Sequence, residues 1–396
     1  MRIGMILDKT FPPDPRVENE AVSLIENGHE VFLFCLKYAE NEKDEIYKHI
    51  HVKRYGSNKF IYKLSALAYT FPFYNTLLSS KIEHFLNENA IEVIHIHDMQ
   101  IAGAVFKANK KLKLKTVLDL HENRPEIMRF YPHLNKFPGN VLISAKKWKQ
   151  KEEEFVKKAS NVIVVTEEAK NELVERTKIH ENRVVVVPNT VHKNYNKNDQ
   201  LNSVIIEKFK DNFVLLYIGD TGLRRGLQTA VESVKTLINS IKNIKLVIVG
   251  SNSSDGILKQ QVQHLGVENF VDFEGWQNEQ LFPSYITSAS ICISPLHKNL
   301  HHDTTYANKI FQYMSFGKPL LVSDVVAQKN IVEKANSGLV HFAENSDDFT
   351  KKVLNLYEDS SLRNSLGKNG KHFIEHEFYW EKTAEKLINL YKNLQP

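Results

Sequence analysis

The feature that most constrains this chain is a rhythm in which short apolar runs alternate with longer amphipathic stretches from one end to the other. Apolar runs without internal polar alternation belong to strands buried on both faces, as parallel sheets covered by helices require. The first half supplies such runs at Arg2–Leu7, Val31–Leu36, Val93–His97, Lys115–Leu120, Asn161–Val165 and Val184–Val187. The second half supplies Phe213–Ile218, Lys245–Val249, Val271–Phe273, Ser290–Ser294, Pro319–Val322 and Gly338–Phe342. Helical stretches fit between them. In Glu18–Glu26, for example, Val17, Ala21, Leu24 and Ile25 recur at helical spacing and Asn27-Gly28 supplies the stop. The expected class is α/β, built from Rossmann-like doubly wound sheets.

A chain of 396 residues is longer than a single hydrophobic core usually serves, so two domains are expected. The rhythm breaks in the polar, Asn- and Lys-rich segment after Asn189. This places an N-terminal domain over 1–190, a linker over 191–200 and a C-terminal domain over 201–377. Residues 378–396 read as an amphipathic helix with an aromatic entry, which either crosses back to the first domain or caps the second. Ligands of doubly wound sheets bind beyond the carboxyl ends of the strands, so the site is expected in a cleft across which the two domains face.

Composition excludes several classes. With 42% hydrophobic and 25% charged residues the chain is folded rather than disordered, and a net charge of +5 is too small for a dedicated nucleic-acid binder. Cys35 and Cys292 lie inside apolar runs and read as core residues in a reducing compartment. The first residues reach Asp8-Lys9 too soon for a signal-peptide core, and the longest uncharged stretch, Leu64 to Ser80, carries Pro72 and several polar residues that a membrane span would not tolerate. A cytoplasmic protein is expected. Lys146-Lys147-Trp148-Lys149-Gln150-Lys151 and the aromatic-rich Phe60–Phe85 stretch allow a peripheral attachment to the inner face of the plasma membrane; the competing reading is a solvated helix face.

The loop after the first strand, Thr10-Phe-Pro-Pro-Asp-Pro-Arg16, has no glycine, so backbone cannot approach a pyrophosphate there and a dinucleotide cofactor is excluded from the first domain. Its three prolines place Asp14 and Arg16 ahead of a helix N-terminus, a position suited to an acceptor's hydroxyls or phosphate. Two further strands end in polar clusters, Ile94-His-Ile-His97-Asp98 and Leu118-Asp-Leu-His121-Glu122-Asn-Arg124. Residues just past the last apolar one project from the sheet's end, which makes His97, Asp98, His121, Glu122 and Arg124 site candidates. His121 stands out because an imidazole can donate, accept or carry charge near neutral pH.

In the second half, Gly219-Asp-Thr221-Gly222-Leu-Arg224-Arg225-Gly226 is a glycine turn between strand and helix, with arginines suited to bidentate contact with a phosphate. The densest polar segment runs from Ser294 to Pro319. Its helix is expected to begin near Ala307-Asn308 and to stop at Gly317, bringing Asn308 and Lys309 together on one anion with Gln312 a turn further along. His297, His301 and His302 match no common zinc spacing and read as solvated loop histidines, and no Asp-x-Asp pair offers to hold a divalent ion. No metal and no cofactor are expected.

These motifs, in their order and spacing, resemble the retaining GT-B glycosyltransferases of family 4, also called group 1. The likeness runs through Pro13-Asp-Pro-Arg-Val-Glu18, Asn27-Gly-His-Glu-Val31, His97-Asp98, His121-Glu122, Val187-Pro-Asn189, Gly219 to Gly226, Val249-Gly250, Phe273-Glu-Gly275 and Asn308-Lys309-Ile-Phe-Gln-Tyr-Met314 to Pro319. It implies donor binding by Gly219, Thr221, Gly222, Phe273, Glu274, Gly275, Tyr306, Ala307, Asn308 and Gln312, catalysis by His121, Arg225 and Lys309, and acceptor binding by Asp14, Arg16, His97, Asp98, Glu122 and Arg124. Two positions depart from the pattern. Thr304 and Gln312 stand where many members carry glutamates, and Asp220 stands where many carry arginine.

The resemblance implies metal-independent hexosyl transfer from a UDP- or GDP-type sugar donor to a glycan or lipid-linked acceptor, in cell-surface polysaccharide synthesis. The departing diphosphate would be stabilised by Arg225 and Lys309. Two other readings stand beside it: a sugar-nucleotide epimerase of the same fold, and an inactive sugar-nucleotide-binding partner, which the missing glutamates permit.

Overall fold

The computed structural model describes the whole chain except residues 40–42, 132–133, 135, 138, 198–199 and 395–396. Two positions of the expected linker and the last two of the terminal helix therefore lie outside the described residues. The chain divides into two compact units: residues 1–189 with 383–396, and residues 190–382.

The first unit carries strands β1 (Arg2–Ile6), β2 (Glu30–Lys37), β3 (Glu45–Tyr47), β4 (Ile50–Gly56), β5 (Val93–His97), β6 (Lys115–Leu120), β7 (Asn161–Val164) and β8 (Val184–Val186) in one sheet ordered β3-β4-β2-β1-β5-β6-β7-β8. Every pairing is parallel except β3 with β4. The order reverses between β1 and β5, so the ends of β5 and β6 border a switch point, the place where such sheets bind ligands. β3 and β4 escape the sequence reading because they lie at the sheet's edge. There one face meets water, and Ile50-His-Val-Lys-Arg-Tyr55 alternates instead of forming an apolar run.

The second unit carries β9 (Phe213–Ile218), β10 (Ile244–Val249), β11 (Val271–Gly275), β12 (Ile291–Ser294), β13 (Leu320–Ser323) and β14 (Gly338–His341), all parallel, in the order β11-β10-β9-β12-β13-β14. Its switch point lies between β9 and β12. Both faces of this sheet are packed: Leu216 and Ile218 belong to one core and Leu215 and Tyr217 to the other, as period-2 strands between two helix layers demand.

The terminal segment is two helices rather than one, Trp380–Thr383 and Glu385–Leu394. The second buries Leu387, Leu390, Tyr391 and Leu394 and packs within the first unit, where Lys115 Nζ donates to the Leu394 carbonyl at 3.0 Å. No helix among the described residues is long and apolar enough to cross a membrane.

Glycine decides how closely the strand ends of the second unit approach. Gly250 has φ +138°, and a Cβ there would stand 2.0 Å from the carbonyl oxygen of Gly219. Both chains are anchored, Gly219 N to Val249 O and Gly250 N to Gly275 O. Gly250→Ala should cost ~2 kcal/mol or more through backbone strain, lowering Tm by ~4–8 °C; a melt within a degree of the parent would refute the close approach.

Candidate active site

The first unit holds a buried polar cluster at the ends of β5 and β6. Asp119 points inward from β6 and is fully buried, as are His95, His97 and Glu20, while Arg16 is 4% exposed. Asp119 accepts from Arg16 Nε at 3.0 Å and Nη2 at 2.7 Å; Arg16 Nη1 donates to the Val187 carbonyl at 3.1 Å, and Nη2 lies 2.9 Å from Glu20. His121 Nε2 sits 2.8 Å from Asp119 and 3.2 Å from His97 Nδ1. His95 Nδ1 meets the Tyr391 hydroxyl at 2.8 Å.

Titration follows from these distances. Burial opposes protonation of His121, but the Asp119 and Asp98 carboxylates overcome it and push the imidazole up to about 9. Burial would raise Asp119, yet Arg16 and His121 hold it well below the usual carboxylate range. Glu20 is pushed up to about 7 by burial despite Arg16. His97 is held neutral by burial and by its neighbour His95. Ligand atoms of Glu20, His95, His97 and Asp119 all lie within 4.8 Å of one another, a spacing that could hold a metal ion. Arg16 already lies between the two carboxylates and supplies their countercharge.

Two expectations are corrected here. Arg16 is not ahead of the helix but inside it, since Asp14 is the cap of Pro15–Glu26 and accepts from Val17 N at 3.2 Å. The guanidinium is turned inward onto Asp119 and is not presented to an acceptor. His97 is likewise fully enclosed. Asp98, His121, Glu122 and Arg124 remain at the sheet's end. His121 keeps its Nδ1 edge 4.0 Å from Asp98, whose Oδ1 is buried without a hydrogen-bond partner among the described residues. Arg124 Nη2 donates to Gln100 at 2.8 Å and its Nη1 lies 3.8 Å from Glu122.

In the second unit the turn after β9 gathers Gly219, Asp220, Thr221, Gly222 and Arg225 with Lys309. Gly219 has φ +126°, and a Cβ there would stand 3.1 Å from Lys309 Nζ, so glycine keeps this space open. The Lys309 ammonium lies 3.4 Å from the centroid of the Tyr217 ring and has no hydrogen-bond partner among the described residues. Burial, reinforced by Arg225, holds it well below its ordinary value. Asp220 accepts from Arg225 Nε at 3.2 Å, Asn252 Nδ2 at 2.5 Å and Gly222 N at 3.2 Å. Thr221 is tied to Asp255 through its hydroxyl.

The other donor candidates are spread around this centre. Glu274 accepts from Tyr285 at 2.8 Å and Lys208 at 2.5 Å, and its carbonyl accepts from Gln277 at 2.7 Å; Phe273 packs against the core beside Gly275. Tyr306 packs edge-on against Phe311 and Phe378, and Ala307 is buried. The helix is shorter than expected, Lys309–Ser315, with Asn308 as an exposed cap making no side-chain bond and Gln312 half-buried. His301 and His302 are not solvated. Both are buried in helix Leu300–Asp303, where His302 Nδ1 meets the His297 carbonyl at 2.7 Å, and burial lowers them to about 2 and about 3.

Sequence reasoning passed over Asp119, Glu20 and His95. The signal was present in Leu118-Asp119-Leu120: a charge within a doubly covered strand must find a buried partner.

With this geometry in hand, the comparisons are decisive. The description "Glycosyltransferase Family 4" matches residues 16–195 and "Glycosyl transferases group 1" residues 198–373. The chain belongs to the group 1 glycosyltransferases, with the GT-B fold. An uncharacterized glycosyltransferase of Methanocaldococcus jannaschii is 24% identical over 320 residues, 79% of this chain and 78% of that protein. The capsular polysaccharide biosynthesis glycosyltransferase CapM of Staphylococcus aureus is 21% identical over 247 residues, 59% of this chain and 61% of that protein. Among solved structures, sucrose-phosphate synthase from Thermosynechococcus elongatus superposes with a TM-score of 0.79 at 17% identity, covering 99% and 98% of the two chains. Anabaena HepE in complex with UDP and glucose gives 0.75 at 14% identity, covering 99% and 100%.

The charge on His121 makes a prediction about this glycosyltransferase. Its folded pKa lies above the unfolded value near 6.5, so the stability it contributes is fully present below ~6.5 and is lost as pH rises through about 9. Melting from pH 6.5 to 9.5 should show the parent losing several degrees more than His121→Gln; parallel profiles would overturn the assignment.

Proposed function

We propose that this protein transfers a hexosyl group from a nucleoside-diphosphate sugar held at Gly219–Arg225 and Lys309 to an acceptor held by the first unit, with retention of configuration and without a metal ion. One observation carries the reading: the buried, unpartnered Lys309 ammonium beside the glycine turn. An ammonium taken from water without a partner is costly, and a diphosphate offers the charge that would repay it. As the glycosidic bond lengthens the sugar becomes oxocarbenium-like and the diphosphate gains charge, which Lys309 and Arg225 stabilise. The acceptor hydroxyl attacks from the face the diphosphate leaves, giving its proton to the departing phosphate oxygen. His121 donates to a hydroxyl of the transferred sugar.

Uracil is the base we favour, because HepE is described with UDP and with UDP-glucose, and CapM's name supports a place in cell-surface polysaccharide synthesis. Such work is done at the inner face of the plasma membrane by a cytoplasmic protein, with an acceptor that is a glycan or lipid-linked. The competing reading, an inactive sugar-nucleotide binder, draws on Thr304, whose buried hydroxyl donates to the Leu300 carbonyl where many relatives carry a carboxylate. UDP release from UDP-glucose by the pure protein separates the two.

Arg225→Ala and Lys309→Ala should each lower kcat/KM for UDP release by at least ~10²-fold. Because the diphosphate restores the depressed Lys309 to its charged form, UDP binding should take up protons at pH 8, measurable by calorimetry in buffers of different ionisation enthalpy and absent in Lys309→Met. Binding without proton uptake in the parent would remove Lys309 from the diphosphate.

His121→Ala tests the other unit. It should lower kcat while leaving the UDP Kd almost unchanged, since the histidine acts on the sugar in the transition state and not on the nucleotide. Normal turnover, or a loss of UDP affinity in proportion to kcat, would end the catalytic role.

A further inference from the structure

The first unit contains a pocket of about 600 Å³ that neither the buried ion cluster nor the nucleotide half-site uses. Helices Lys59–Ser65, Gly139–Leu142 and Ala145–Lys158 contribute to its wall. The walls are apolar, from Leu67, Met128, Leu142, Ile143 and Trp148. Among the described residues that line it, the charged ones are cationic, Lys63 and Arg124, and none is a carboxylate. Volume and lining match a small-molecule site: mostly hydrophobic, with a few convergent polar groups.

The polar end is built. Arg124 Nη2 donates to Gln100 Oε1 at 2.8 Å, and Gln100 Nε2 donates to Ser65 Oγ at 2.7 Å, which fixes the guanidinium. A second observation points to a ligand. The Trp148 indole is 2% exposed, yet its N–H has no hydrogen-bond partner among the described residues, and a buried indole N–H ordinarily finds one. Tyr62 of the lining and Phe60, Phe137 and Val141, which neighbour lining residues in the chain, are 63–83% exposed, more large apolar surface than a solvated face needs.

Lysine-rich Ala145–Lys158 looks in sequence like a headgroup-binding face, but Lys149 and Lys151 are paired with Glu126 and Glu154 at 3.2 and 2.6 Å. The pocket itself supplies two cations, Lys63 and Arg124.

We propose that this pocket takes the hydrocarbon chain of an amphipathic acceptor, with its phosphate head at Arg124 and Lys63. Arg124 lies three residues beyond His121, so the head is held beside the histidine that the transferase reading places at the sugar; in that respect the inference rests on that reading. It commits the acceptor to the lipid-phosphate-linked class, with the attacking hydroxyl carried on the group beyond the phosphate, rather than to a free glycan.

Calorimetric titration of the full chain with hexyl, octyl and decyl phosphate, each below its micellar concentration, tests it. Affinity should rise about fourfold per added methylene until the pocket is filled. Ala66→Trp, which fills the pocket, should abolish the rise, and Arg124→Gln should cut the preference for octyl phosphate over octanol by ~10-fold or more. Arg124→Gln keeps the test decisive if Ala66→Trp fails to fold. A flat chain-length series, or a series that Ala66→Trp leaves intact, overturns the pocket. Sedimentation with phosphatidylglycerol vesicles alongside a flat series would assign the aromatic rim to bilayer docking and overturn it equally. None of these readouts requires turnover: a protein that follows the series but releases no UDP from UDP-glucose keeps the lipid pocket and loses the transferase reading.

Discussion

The buried pairing of Arg16 with Asp119 organises the functional end of the first unit. Two charges withdrawn from water cost more than their attraction returns unless geometry is close and every remaining donor is used. Here the guanidinium spends Nε and Nη2 on Asp119 and Nη1 on the Val187 carbonyl, drawing the first helix, β6 and the segment after β8 to one point. Asp119 keeps enough charge to hold His121 at 2.8 Å, so the histidine's orientation descends from an ion pair whose members are 103 positions apart. The returning C-terminal helix joins the same network through Tyr391 and His95.

The second unit solves an opposite problem. Its turn after β9 leaves a cation unsatisfied, and glycine at 219 and 250 makes the room to do so, since side chains there would meet Lys309 and the Gly219 carbonyl. Charges paired in the interior rigidify what they join; a buried cation without an anion stores free energy that a matching anion would release. The first unit's charges therefore position a side chain, while Lys309 in the second is left without an anion among the described residues.

What could be read from sequence follows from how local each signal is. Buried parallel strands write themselves as apolar runs, and His121 or Lys309 is visible because each lies just past the end of one or at the start of a helix. The Arg16–Asp119 contact is not local, and Arg16 on its own reads as an exposed residue of a proline-rich loop. Burial of His301 and His302 was hidden for the same reason: a polar string reads as solvated until Asn299 and the His297 carbonyl fold a short helix around it. Trp148 sits among lysines, and only the packing of Tyr69 against it, 4.8 Å between ring centroids, reveals a core residue.

Asp220 is the hardest residue to reconcile with an anion site, because a carboxylate at the turn should repel a diphosphate. Its partners resolve the conflict. Arg225 Nε, Asn252 Nδ2 and the Gly222 N–H all donate to it, and these contacts hold it below the usual carboxylate range even though burial works the other way. Its charge is thus consumed in folding the turn and in aiming Arg225, while Lys309, beside Gly219 and without a hydrogen-bond partner among the described residues, is held below its ordinary value by burial and is left with no anion of its own. Where the family resemblance leads one to expect an arginine, this chain has a carboxylate that orients an arginine five residues later. On the proposed reading, the charge of a departing diphosphate would fall to a different residue at the same turn.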